Sequence, residues 1–180
     1  MKGIIVFGAS GSGTTTLGRK LAERLGFRHF ELDDYYWLTD TDISFTATRP
    51  REERIEKLMR DISDRPGFVM SGSICGWSEP FLPLLHLAVF VYAPASVRLE
   101  RIAERESARF GNRILPGGDM YEKHKSFLAW AAQYDTMDPP ERCLKLHEDW
   151  VRDLSCPVVR IDGTKDLNEN MENIMASCFQ

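Results

Sequence analysis

The chain reads as a doubly wound α/β domain, a five-stranded parallel sheet with helices on both faces. Three observations predict it: short apolar runs alternate with segments of helical period, the connections between runs are long enough for crossovers, and the first run passes through a glycine-rich turn straight into a helix. With 180 residues and 43% hydrophobic content, the chain can build one well-buried core but not two ordinary domains.

The elements follow in order. Ile4, Ile5, Val6 and Phe7 form the first strand, and Leu17, Leu21, Ala22 and Leu25 give the next helix its apolar stripe before Gly26 stops it. Residues 28–32 are a second strand ending on Asp33-Asp34, at the carboxyl edge where ligands bind in open parallel sheets. The aromatic block Tyr35, Tyr36, Trp37 opens a polar loop to Pro50, and Ile55, Leu58, Met59 and Ile62 set a helix over 52–62. Phe68, Val69 and Met70 lead a third strand into Ser71-Gly72-Ser73. Residues 87–92 are nearly all β-branched, aromatic or otherwise apolar, which predicts a fully buried strand ended by Pro94. A long helix starts near Ser96 and dissolves at Gly111-Asn112 and Pro116-Gly117-Gly118. Helices are expected over 119–134 and 141–154, a fifth strand over 157–161 capped by Asp162-Gly163-Thr164, and a last helix from about 167 to 177. Residues 1–180 form one domain with a substrate-side excursion over about 35–66 and a lid over about 98–125.

The turn after the first strand carries the chemistry. Gly8-Ala9-Ser10-Gly11-Ser12-Gly13-Thr14-Thr15 has the spacing of the phosphate-binding loop G-x-x-x-x-G-K-[ST]. Gly8 and Gly13 stand at the two glycine positions, Thr15 at the Mg²⁺-binding hydroxyl, and Thr14 where the lysine belongs. Glycines let the backbone fold around an anion, so that successive N–H groups and the positive end of the helix point at a phosphate. Ala9, Ser10, Gly11, Ser12 and Thr16 complete the cradle. The plain alternative is a flexible turn capped by Ser12 or Thr14. The expected ligands are ATP, or another nucleoside triphosphate, and Mg²⁺. Without the lysine the loop lacks a point charge on the β- and γ-phosphates.

Other residues line up behind the loop. Asp33 can order Mg²⁺ or accept a proton from a substrate hydroxyl, with Asp34 beside it as a substrate contact; both also suit a turn or helix cap. Trp37 and Trp77 serve either as stacking walls for a substrate or as packing wedges. Ser73, with Ser71 and Cys75, lies at the end of the third strand within reach of a substrate. Arg98, Arg101, Arg105 and Arg109 fall on one helical stripe. Such a stripe is a solvated face or, leading into a glycine-rich segment, a lid that clamps phosphates. In the second case Arg101 and Arg105 supply the charge that Thr14 cannot.

Composition narrows the partners. A net charge of −4 gives no general electrostatic reason to bind nucleic acid or an anionic membrane. No run approaches the 18 or more apolar residues of a membrane span, and no signal-like segment precedes the first strand. The four cysteines are scattered without a C-x-x-C pair, as in a reduced, cytoplasmic protein, and the four histidines show no metal spacing. The partners that remain are a nucleoside triphosphate and a small-molecule acceptor.

With the loop, the aspartate pair, the arginine stripe and the terminal Asp-Gly-Thr in this order, the chain resembles the nucleoside-monophosphate-kinase group of P-loop proteins, the adenylate-kinase-like family. The resemblance spans nearly the whole chain in layout and is close at residues 8–15 and 98–105. It implies that Arg101 lies against the adenine, that Arg105 contacts phosphates, and that Gly163 and Thr164 lie near the adenine. Some cytidylate kinases look similar in carrying Gly-Ser-Gly-Thr-Thr-Thr here. The family's Asp-Gly-x-Pro-Arg after the third strand is replaced by Ser71-Gly72-Ser73-Ile74-Cys75, which points away from a nucleoside monophosphate as acceptor. Asp33-Asp34 followed by aromatics is more like the small-molecule and nucleoside kinases of the fold, where an acidic residue after strand two holds an acceptor hydroxyl. The leading expectation is an ATP-dependent small-molecule or nucleotide kinase. The alternatives are a nucleotide-binding protein or slow ATPase with a regulatory role, and, last, a sulfotransferase.

Overall fold

The computed structural model describes residues 2–38 and 45–178. Its sheet is all parallel, in the order β2-β3-β1-β4-β5, from β1 (Lys2–Gly8), β2 (Arg28–Glu31), β3 (Gly67–Ser71), β4 (Leu85–Tyr92) and β5 (Val158–Asp162). The helices are α1 (Thr14–Leu25), α2 (Asp33–Tyr36), α3 (Arg51–Ile62), α4 (Ala95–Phe110), α5 (Tyr121–Ala132), α6 (Leu144–Arg152) and α7 (Leu167–Cys178). The expected five-stranded parallel sheet flanked by helices is the observed one. None of the described helices is long and apolar enough to cross a membrane.

The pleat explains the two cores. In register, Ile4 lies beside Val69 and Leu87, and Val6 beside Val89; these side chains pack on Leu17, Leu21 and Ala22 of α1 and on Met171 and Ile174 of α7. The alternate residues Ile5 and Phe7 point to the other face, where they meet Phe30, Phe68, Met70 and Phe90 with Leu58 and Ile62 of α3 and Trp150 of α6. Central strands buried on both faces need no polar alternation, hence the unbroken apolar run of β1. Each such fully buried side chain stabilises the fold by about 1.5–3 kcal/mol relative to exposure.

From β1 the chain places β3 on one side and β4 on the other. This reversal opens a crevice at the carboxyl ends of the strands, and the turn after β1 lies there.

Two local readings need correction. The aromatic block after β2 does not open directly into a loop: Asp33, Asp34, Tyr35 and Tyr36 form the one-turn helix α2. Its two aspartates sit in the first turn, where the helix dipole favours them, and Tyr35 is buried with its hydroxyl donating to Asp61 at 2.8 Å. Trp37 then bridges antiparallel to Thr48. Of the expected excursion over 35–66, residues 39–44 lie outside the described residues.

The arginine stripe is also not uniform. Arg98 is completely buried: its Nε donates to Ala93 O at 2.9 Å, Nη1 to Ala131 O at 3.0 Å and Nη2 to Asp135 Oδ2 at 2.6 Å, and it lies over the Tyr134 ring. It pins α4 to the end of α5. Removing one partner of a buried ion pair strands the other charge, which typically costs about 3–5 kcal/mol. Arg98→Met is therefore expected to lower stability by about that much. Asp135→Asn leaves Arg98 its two backbone carbonyls and an amide oxygen in place of the carboxylate, and is expected to cost less than the loss of all three bonds. Thermal denaturation of the two variants against wild type checks both; equal, negligible losses would contradict the assignment.

Candidate functional site: a phosphate loop between two unlike walls

The turn between β1 and α1 is held open by glycine. Gly11 and Gly13 have φ of +80° and +102°, a left-handed region that other residues enter only with strain. Within the turn Ser12 N donates to Ala9 O and Leu17 N to Gly13 O. Among the described residues, the amides of Gly11, Gly13, Thr14 and Thr15 donate to no backbone carbonyl. These N–H groups at the start of α1 are the donors that a phosphate takes.

One wall is a cleft of ≈ 270 Å³ between the turn, α4 and the segment after β5, lined by Gly13, Leu17, Val91, Arg101, Gly163 and Asn170 among others. Gly163 is required here by close approach, since a Cβ at this position would lie 2.5 Å from Ser12 O. Arg101 crosses the same gap: Nη2 donates to Gly163 O at 2.9 Å, and Nη1 lies 3.4 and 3.5 Å from the carbonyls of Gly11 and Ser12. Thr164 turns out of the cleft, its amide and hydroxyl donating to Asp162 at 2.9 and 2.6 Å; these bonds hold the Asp162 carboxyl below its usual range.

The opposite wall is polar and acidic. Thr15 Oγ1 donates to Glu31 Oε1 at 3.3 Å, at the end of β2, and Asp33 and Asp34 follow in α2, both exposed. Burial raises the Glu31 carboxyl, and the charges of Asp34 and Asp33 raise it further, against the lowering effects of the Thr15 hydroxyl and Arg19. Carboxylates beside a phosphate loop suit a divalent cation. No group of three or more His, Cys, Asp or Glu side chains forms a closed metal cage among the described residues. Mg²⁺ needs none, since it keeps several waters and shares its shell with phosphates. Glu31 was not among the residues singled out from sequence, although its position two before Asp33 at a strand end was the available signal.

Behind this wall, Ser73 meets a buried relay. Its hydroxyl lies 3.1 Å from His147 Nε2, and the Tyr134 hydroxyl lies 2.7 Å from His147 Nδ1. Burial pushes the His147 ring down to about 3, the positive charge of Arg142 adding to the effect against Glu148. Arg142 itself, absent from the expected set, reaches the phosphate loop: Nη2 donates to Ser10 Oγ at 2.7 Å.

The remaining candidates separate. Trp37 is half-buried, its ring 4.9 Å from Tyr36 and 6.0 Å from Phe45. Trp77 is only 2% exposed and packs edge-on against Phe81, so it is a packing wedge and presents no ring face to a substrate. Burial in the aromatic core of the sheet's second face overrides the loop position that suggested a stacking wall. Arg105 projects outward, half-exposed, 3.9 Å from Glu106.

The family model described as "AAA domain" matches residues 4–113, more than half of the chain. The chain belongs to the AAA domain family. This AAA domain is a P-loop NTPase of the nucleoside-monophosphate-kinase-like kind. It is 41% identical over 174 residues to the uncharacterized protein YqaC of Bacillus subtilis, covering 97% of this chain and 96% of that one. It is 27% identical over 185 residues to a cytidylate kinase of Natronomonas pharaonis, covering 96% and 90%. Among solved structures, shikimate kinase from Bacteroides thetaiotaomicron aligns over 100% of this chain and 99% of its own, with TM-score 0.58 and 17% identity, a likeness of fold.

The buried ring of His147 makes the AAA domain's stability depend on pH. Between about pH 6.5 and 3 the unfolded chain binds a proton at this ring that the folded chain refuses, so stability falls as pH drops through that window. His147→Gln is expected to flatten the slope of Tm between pH 6.5 and 5, where few carboxylates titrate. His29, also lowered by burial beside Arg19, keeps part of it. An unchanged slope in the variant would show that His147 titrates alike in the folded and unfolded states.

Proposed function

We propose that this chain is a Mg²⁺- and ATP-dependent phosphotransferase acting on a small-molecule or nucleotide acceptor. The observation that carries the reading is the asymmetry of the loop. Free amides of Gly11, Gly13, Thr14 and Thr15 lie between a cleft suited to a base on one side and a carboxylate and hydroxyl wall on the other. A donor nucleotide and an acceptor thus have separate places on either side of one phosphate cradle. The kinases among the relatives and fold neighbours support the same class.

In this reading the backbone of residues 8–16 binds the phosphates, and Arg101 and Gly163 shape the base end. Thr15, Glu31 and Asp33 would hold Mg²⁺, which would supply charge neutralisation at the phosphates. Asp33 also accepts the proton of an acceptor hydroxyl, while Asp34, Trp37 and Ser73 orient the acceptor. The segment over about 98–125, from α4 through the Gly111–Ile114 turn into α5, acts as a lid that brings Arg105 to the phosphates. The threonine at position 14 favours a second reading, a nucleotide-binding protein that hydrolyses slowly and regulates through its nucleotide state.

Nucleotide binding is tested first. Mg-ATP at about one hundred times its Kd is expected to stabilise the fold by about 2.7 kcal/mol, several degrees in Tm. Gly13→Val is expected to abolish this shift with the fold retained. A Cβ there meets only Arg101 Nη1, at 3.9 Å, so the strain of a branched side chain at φ +102° falls on the loop and not on the core. An undiminished ATP shift in folded Gly13→Val would remove the site.

Asp33→Asn separates the two readings. A carboxylate that acts chiefly in the reacting complex is expected to lower turnover tenfold or more, on the order of general-base effects, with nucleotide affinity little changed. A phosphoacceptor panel with labelled ATP measures it. Transfer to no acceptor beyond slow hydrolysis would favour the regulatory reading.

A further inference from the structure

The arginines of this chain divide by what neutralises them. Arg98 pairs with Asp135, Arg51 with Glu79, Arg113 with Asp119 and Arg160 with Glu148, each at 2.7 Å or less. Arg101 is taken up by three backbone carbonyls at the base end of the loop. Arg142 falls in neither group. Among the described residues it forms no ion pair; its Nη2 donates to the neutral hydroxyl of Ser10, its guanidinium lies over the Trp130 ring at 4.9 Å, and its Nε is buried without a partner.

Its place is as telling as its partners. The base cleft flanks Ser12 and Gly13, so a triphosphate threading the turn from that side leads away from it, toward Ser10 and the Thr15–Glu31 wall. The positive charge of Arg142 is also felt at Cys75, Tyr134 and His147, around the Ser73 corner. The guanidinium therefore stands between the phosphate loop and the Ser73 corner, next to a loop with threonine at position 14.

We propose that Arg142 is the cation missing at Thr14, a catalytic residue that binds the terminal phosphate of the donor where it meets the acceptor. The inference rests on the phosphotransferase reading above and names a charge that the lid arginines were expected to supply. In the transfer, a bond forms between the acceptor oxygen and the terminal phosphorus as the bond from that phosphorus to the bridging oxygen breaks. The electron pair leaves on the nucleoside diphosphate, and the acceptor proton passes to the carboxylate wall. Arg142 changes no bonds; its planar fork binds the non-bridging oxygens, where charge is spread in the transition state. Trp130 holds the fork in place through its ring face.

The test compares ATP with ADP. If Arg142 holds the terminal phosphate, Arg142→Gln, which keeps a hydrogen-bonding side chain and loses the charge, weakens Mg-ATP binding about tenfold or more. Mg-ADP binding stays within about twofold. Thr14→Lys in the Arg142→Gln background then restores much of the ATP preference, because a lysine returns to the loop. Arg142→Lys, retaining charge without the fork, falls between. Equal losses for ATP and ADP, or no loss for either, would make Arg142 a support for the loop and overturn the proposal. Should Arg142→Gln fail to fold, the same ATP-to-ADP ratio measured for Arg142→Lys and for Thr14→Lys alone decides: a ratio unchanged in both overturns it. Wild-type protein that binds neither nucleotide would instead overturn the phosphotransferase reading itself.

Discussion

The site depends on backbone packed directly against backbone around the phosphate loop. A Cβ at Gly8 would lie 2.2 Å from Val91 O, one at Gly11 2.4 Å from Arg98 O, and one at Gly163 2.5 Å from Ser12 O. The neighbouring strand β4, the first turn of α4 and the segment after β5 therefore close on the loop with no side chain between them. This contact fixes where the loop amides point, and it leaves the cleft beside Gly13 as the space next to them. Such close approach requires the sheet to be rigid, which the doubly buried β1 and β4 provide.

The charged residues acquire their roles from position along elements as much as from their face. The arginine stripe of α4 is a true stripe, yet from Arg98 to Arg109 it runs about 16 Å along the axis. At one end Arg98 is enclosed by Ala93, Ala131 and Asp135 and acts as a bolt. One turn on, Arg101 spans the loop and the β5 turn. Further out, Arg105 is half-exposed, and Arg109 lies over Phe45, a residue held at φ +62°. One helix thus supplies a structural cation, a clamp and two outward-facing charges.

The site's two walls differ in composition. On the polar wall, Glu31 is raised by burial and by its acidic neighbours, and behind it the His147 ring is kept neutral by burial and by Arg142. The relay from Tyr134 through His147 to Ser73 is then neutral, and it orients the Ser73 hydroxyl without adding charge. In the cleft beside Gly13, Leu17 and Val91 give an apolar lining.

The fold and the phosphate loop were legible in the sequence because their signals are local. Unbroken apolar runs mark doubly buried strands, the 3.6-residue period marks α1, α3 and α4, and glycine spacing marks the turn; all are set by backbone sterics and burial within a few residues. Threonine at position 14 was equally plain. Contacts between distant segments were not legible. Arg142 meets Ser10 across 132 positions of chain, in a stretch whose Pro139-Pro140 punctuation shows only that a helix is interrupted. Trp77 looked available because its neighbours read as a loop, whereas packing against Phe81 withdraws it. Local sequence determined which backbone shapes form and where an anion can sit. Tertiary structure decided which charges face that anion, because burial and pairing depend on segments that meet only once the sheet has assembled.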